Sequence, residues 1–194
     1  MLFQMYNLYL KHHRDKLIAA VEKPFQTEAE FEECLLKTKG IFSDIFVLKR
    51  RVNAGRDIPD MIGVDRDNNI VIIENKNVVI SEEILPQIMR NAEWAETNPD
   101  SIRAMWLEAE NRPEDIDIHW DTVDIRIIVL APSIKLSVPR LLNKINYDVE
   151  LIEVKRFVVG NEECILLNKL EEEPEAKTRP VRGMGVYDRQ RSAA

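Results

Sequence analysis

The 194-residue chain carries a formal net charge of −7, with 45% hydrophobic and 31% charged residues. Such totals suit one globular domain, and six Gly with nine Pro exclude collagen-like or low-complexity sequence. No apolar run reaches the roughly 18 residues of a membrane span, and two distant cysteines, Cys34 and Cys164, imply core thiols in a reducing cytoplasm rather than a disulfide framework.

In chain order, Phe3, Tyr6, Leu10, Leu17 and Val21 are spaced as one face of an amphipathic helix over residues 1–24, ending near Pro24. The stretch has no basic leader and no small-residue cleavage site, so no signal peptide is expected. Thr27 with Glu30 three residues on forms a capping box that opens a second helix, EAEFEECLLKTK, which stops at Gly40. Three strands follow, from Asp44, Ile58 and Asn69, joined by turn-forming residues into an antiparallel meander. Ile70, Val71, Ile72 and Ile73 are apolar without alternation, which predicts a central strand covered on both faces. A helix is predicted from about Ile84 to Thr97 and another after Asn98-Pro99-Asp100. Residues 108–124 hold seven acids against the single base Arg112, a net −6 that sets the sign of the whole chain. A buried strand (VDIRIIVLAP), a short helix (VPRLLNKI) and two further strands complete a domain over 25–170, and residues 171–194 lose periodicity and read as a flexible tail. The order α, β, β, β, α, β predicts a mixed α/β fold with helices on both faces of one sheet.

The second strand begins Pro59-Asp60 and the third ends Glu74-Asn75-Lys76, so two acids and a lysine fall on one hairpin. Glu74 and Lys76 are two apart and project from the same face. Buried like charges are costly unless a cation joins them, and two carboxylates with a backbone carbonyl, that of Asn75, are the hard oxygen ligands Mg²⁺ or Mn²⁺ takes. Lys76 is then placed to orient or deprotonate a water, or to offset charge on a phosphate. Residues opposite one another on antiparallel strands share a face, so Asp60 joins Glu74 only if paired residue numbers have an even sum. That predicts a connection of three or five residues around Asp67, or a bulge. Asn75, inside this motif, needs a buried hydrogen-bond partner.

Pro59-Asp60, the 13 positions 61 to 73, and Glu74-Asn75-Lys76 together resemble the PD-(D/E)xK nuclease superfamily. Over roughly Thr27 to Ala131, Arg51, Gly55-Arg56, Asp60-Met61-Ile62, Asp65-Arg66-Asp67, Glu74-Asn75-Lys76 and Gln87-Ile88-Met89-Arg90 are similar to its NucS-like and RecB-like branch. The resemblance implies a restriction-endonuclease-like αβββαβ core and metal-dependent hydrolysis of DNA, in repair or defence. It implies Asp60 and Glu74 as metal ligands, Lys76 as catalytic lysine, Gln87 reaching the lysine or a phosphate, and a glutamate on the first core helix, Glu28 in preference to Glu32. Arg50, Arg51, Arg56 and Arg90 are the expected nucleic-acid contacts, and a homodimer is compatible with the pattern.

Plainer readings stand beside these. Asp60, Glu74 and Lys76 also suit a structural ion pair, and the arginines suit an ordinary charged sheet edge. A catalytically inactive nuclease fold acting as a binding or assembly module is the rival to an enzyme. His12, His13 and His119 lack metal-ligand spacing, and Trp94, Trp106 and Trp120 suit core positions better than base stacking.

Overall fold

The structure, a computed structural model, describes residues 8–12, 16–38, 40–50 and 59–170. In chain order the elements are β1 (Tyr9–His12), β2 (Lys16–Ala19), β3 (Val21–Glu22), α1 (Glu28–Lys37), β4 (Ile45–Arg50), β5 (Met61–Asp65), β6 (Asn69–Asn75), β7 (Val79–Ile80), α2 (Leu85–Thr97), α3 (Pro99–Glu108), β8 (Asp124–Ala131), β9 (Ser133–Ile134), α4 (Ser137–Leu142), β10 (Asp148–Val159) and β11 (Glu162–Lys169). The main sheet has the order β11-β10-β8-β6-β5-β4, with β3 joined to β10. β4, β5 and β6 form the expected antiparallel meander, and β6, β8 and β10 run parallel to one another. From α1 to β8 this is the mixed, helix-flanked α/β core that the element order predicts.

β6 lies in the middle of the sheet because its side chains can be covered on both sides. Ile70 to Ile73 are all buried, Ile70 and Ile72 against α2 and Val71 and Ile73 against α1. On one face Ile62, Ile72, Ile127 and Val129 pack with Ile88, Ala92 and Ala95 of α2; on the other Met61, Ile73, Ile128 and Leu130 pack with Phe31 and Leu35 of α1. Each such aliphatic side chain contributes about 1.5–3 kcal/mol on burial. Thr27 caps α1 by accepting from the Glu30 amide at 3.1 Å, and Glu30 reaches back to the Gln26 amide. Gly63 is required by close approach: a Cβ there would lie 2.7 Å from Ile45 Cγ2 and 2.9 Å from the Phe46 carbonyl oxygen.

The β5–β6 connection decides whether the two acids meet. Met61 pairs with Ile73, Ile62 with Ile72, Gly63 with Val71 and Val64 with Ile70, so every pair has an even sum. The connection is the three residues Arg66, Asp67 and Asn68, with Asn68 in the left-handed region at φ 65°. Asp65 Oδ1 fixes it by accepting from the Asp67 and Asn69 amides, each at 3.0 Å. The parity expectation therefore holds, with the shorter of the two odd lengths.

The N-terminal segment departs from expectation. Its described residues form β1 and β2, an antiparallel pair, and β3, rather than an amphipathic helix. The physical reason lies at the other end of the chain. Only the first half of β10 pairs with β8, and β3 supplies a ladder beyond it, Val21 opposite Val158 and Glu22 opposite Phe157. The buried Arg156 then ties the same segment down, donating to the carbonyls of Lys23 and Pro24. A second unpredicted feature is the short parallel pair β7–β9. No described helix is long and apolar enough to cross a membrane, and residues 171–194, the predicted tail, lie outside the described residues.

Candidate metal and phosphodiester site

The site forms where β5 and β6 end beside the first turns of α2. Even parity turns Asp60, Glu74 and Lys76 to the α2 face, opposite the face of Met61 and Ile73. Lys76 Nζ lies 2.5 Å from Glu74 Oε1 and 3.3 Å from Asp60 Oδ2. Asp60 Oδ2 also accepts from the Asn75 amide at 3.2 Å, which ties the start of β5 to the end of β6. Among the described residues nothing donates to Asp60 Oδ1, and the Asp60 side chain is one-third exposed. Glu74 is fully buried.

Helix α2 supplies the donors that hold Glu74. Gln87 Nε2 donates to Oε1 at 2.5 Å, and Asn91 Nδ2 donates to Oε2 at 3.0 Å. Gln87 thus reaches the glutamate, whereas the resemblance implied the lysine or a phosphate. Asn91 is absent from the sequence-derived site. It stands four residues after Gln87, hence on the same helix face, and it is a buried polar residue among Ile88, Ala92 and Ala95. That lone amide in an apolar stripe was the available signal.

Electrostatics sharpen the roles. Burial, and then the charge of Asp60, push the Glu74 carboxyl up to about 7, despite the opposing bond from Lys76. Burial also works against the charge on Lys76, but the hydrogen bonds and charges of Glu74 and Asp60 outweigh it and hold the ammonium above the ordinary lysine range. Lys76 is therefore protonated at neutral pH, a group that donates and offsets negative charge rather than one that removes a proton. Two acids share one lysine here in a largely dry position, and a hard divalent cation fits that donor set. The remaining ligand candidate, Asn75, turns its side chain to the α1 face; among the described residues its buried Oδ1 has no hydrogen-bond partner. The partner expected for it is thus missing among them.

The other predicted residues are placed less centrally. Glu28 opens α1 on the opposite face of the sheet. The bond from Asn77 Nδ2 to the Phe25 carbonyl, 2.9 Å, fixes that helix start at the site's end of β6, but Glu28 is exposed and no described bond links it to Asp60 or Glu74. Among the described residues no group of three or more acids, histidines or cysteines converges on a metal position. Arg90 is exposed on α2, three residues beyond Gln87. Arg50 stands opposite Met61 and so on the α1 face, away from the site, a correction to its expected place. Arg51 and Arg56 lie outside the described residues.

Element order and sheet register give the αβββαβ core, a mixed sheet covered by helices on both faces, that the sequence predicts. No family model matches the sequence, and no curated protein matches it. Among solved structures the chain is similar to a repair endonuclease from Pyrococcus abyssi, with 22% identity, a TM-score of 0.45 and coverage of 69% of this chain and 50% of that one. It is also similar to an EndoMS-dsDNA2 complex, at 22% identity, a TM-score of 0.38 and coverage of 66% and 44%. EndoMS in apo form matches at 16% identity and a TM-score of 0.32, over 76% of this chain and 65% of that one. This chain therefore spans about half the length of the first two structures.

Proposed function

We propose that this chain is a metal-dependent nuclease that hydrolyses DNA phosphodiester bonds at Asp60, Glu74 and Lys76. The observation that carries this reading is the convergence of two carboxylates and a charged lysine on one sheet end, with Glu74 buried and held by two amide side chains. Structural ion pairs do not require both acids on one lysine, nor a carboxyl displaced to about 7.

Asp60 and Glu74, with the Asn75 carbonyl, would hold Mg²⁺ or Mn²⁺, which when bound supplies Lewis-acid activation of water and of a phosphate oxygen. Lys76 offsets the negative charge that grows on the phosphate as its bond to the leaving oxygen lengthens. Gln87 and Asn91 keep Glu74 in one rotamer, so that its oxygens are oriented before the substrate arrives. Glu28, at the same end of the sheet, is the proposed additional carboxylate. Arg90 is the exposed arginine best placed to meet the DNA backbone.

The displaced Glu74 pKa gives a direct test. A proton on Glu74 competes with the cation, so affinity is low below about 7 and rises as the carboxyl ionises. In titration calorimetry Mn²⁺ affinity is expected to increase about tenfold between about pH 6 and pH 8, and Glu74→Gln is expected to remove both the binding and its pH dependence. Equal affinity at the two pH values would contradict Glu74 as a ligand.

A further inference from the structure

Strand β4 changes register between Val47 and Lys49. Before the change Ile45 pairs with Asp65, Phe46 with Val64 and Val47 with Gly63; after it Lys49 pairs with Ile62 and Arg50 with Met61. Leu48 and Lys49 therefore both stand against Ile62, a β-bulge with one extra residue. Without that residue Arg50 would fall opposite Asp60 and share its face. With it, Arg50 turns to the α1 side, where it lines a depression with Ala29, Glu32 and Glu33. Lys49 takes the face of Ile62, which is the face of Asp60, Glu74 and Lys76.

We propose that the bulge aims Lys49 at the substrate, where its ammonium binds a backbone phosphate of the DNA strand next to the one that is cleaved. This rests on the nuclease reading and adds a substrate-binding residue to it. Ile62 and Asp60 are two apart on one strand, so Lys49 and Asp60 are diagonal neighbours, about 7–8 Å between backbones, within the reach of an extended lysine. Lys49 is exposed and forms no ion pair with a described residue. Lys76, by contrast, is engaged by both acids. A compact point charge on a flexible stem suits a phosphate whose position shifts as the strand is bent into the site.

Anisotropy of a fluorescein-labelled DNA duplex in EDTA, across a salt series, separates the two cations of β4. Lys49→Ala is expected to weaken binding about three- to tenfold and to reduce the slope of log affinity against log salt by about 0.9. Lys49→Arg should keep the slope, and Arg50→Ala should leave both quantities unchanged. With Mg²⁺ present, Lys49→Ala should raise KM by the same factor while kcat stays within about twofold. If the wild type binds and cuts DNA while Lys49→Ala matches it in affinity and slope, or if Arg50→Ala carries the loss, the Lys49 assignment is overturned and the nuclease reading stands. A wild type that neither binds nor cuts DNA overturns both.

Discussion

Lys76→Ala is expected to lower kcat for DNA cleavage by about 10²–10³-fold, the loss typical of one donor aimed at developing charge. Its effect should fall on kcat rather than on cation affinity, because Asp60 and Glu74 remain and lose only a competing positive charge. Asp60→Asn should differ: with a neutral amide in place of the half-buried carboxylate, cation binding itself declines and cleavage is lost with it. Cleavage assays under saturating DNA, paired with Mn²⁺ titration of each variant, distinguish the two roles. If Lys76→Ala cuts as fast as wild type, the lysine is structural and the catalytic role given to it is wrong.

The second large effect lies at the opposite end of the sheet. Arg126 on β8 donates from Nη1 to Asp44 and Asp65, at 2.7 and 3.0 Å, and from Nε to Glu150 at 2.7 Å. Asp65 is 1% exposed, and Lys169 gives Glu150 a second cation at 2.6 Å. Replacing Arg126 by Met would leave Asp65 charged and buried among acids. The expected cost is about 3–5 kcal/mol, or a drop in Tm of roughly 6–20 °C for a domain of this size. Adding Asp65→Asn should recover part of it. By contrast the exposed pair Arg66–Asp115 should cost under about 1 kcal/mol when broken. Thermal denaturation of the three variants checks the ranking, and an Arg126→Met protein as stable as wild type would contradict it. The same network has a bearing on function: Asp65 also closes the three-residue connection whose odd length puts Asp60 beside Glu74.

What could be read from the residues follows the range of the interactions. The central strand, the α2 boundaries and the facing of Glu74 and Lys76 depend on local pattern, and all were legible in it. The even pairing of Asp60 with Glu74 was legible as a condition, since parity needs no coordinates. Features set by distant segments were not. Val21 and Glu22 become a strand because β10, more than a hundred residues later, has backbone groups beyond the reach of β8; the helical spacing of nearby apolar residues carried no trace of that. Asn91 left a mark in the sequence only as an amide within an apolar stripe; its bond to Glu74 depends on how α2 lies against β6. The bulge at Leu48 is unmarked by Gly or Pro, so the run Leu48-Lys49-Arg50 could not reveal which cation faces the acids. The −6 of residues 108–124 divides between the end of α3, an irregular connection and the first residue of β8, so the acidity of the chain is no measure of charge at the site.

The central proposal is that Asp60 and Glu74 together hold a divalent cation. Anomalous diffraction from a crystal soaked in Mn²⁺ addresses it most directly. The expected result is a peak bridged by the two carboxylates, with Lys76 Nζ withdrawn from Glu74. A Mn²⁺ ion found elsewhere, or an unchanged Glu74–Lys76 pair at cation concentrations that support cleavage, would contradict it.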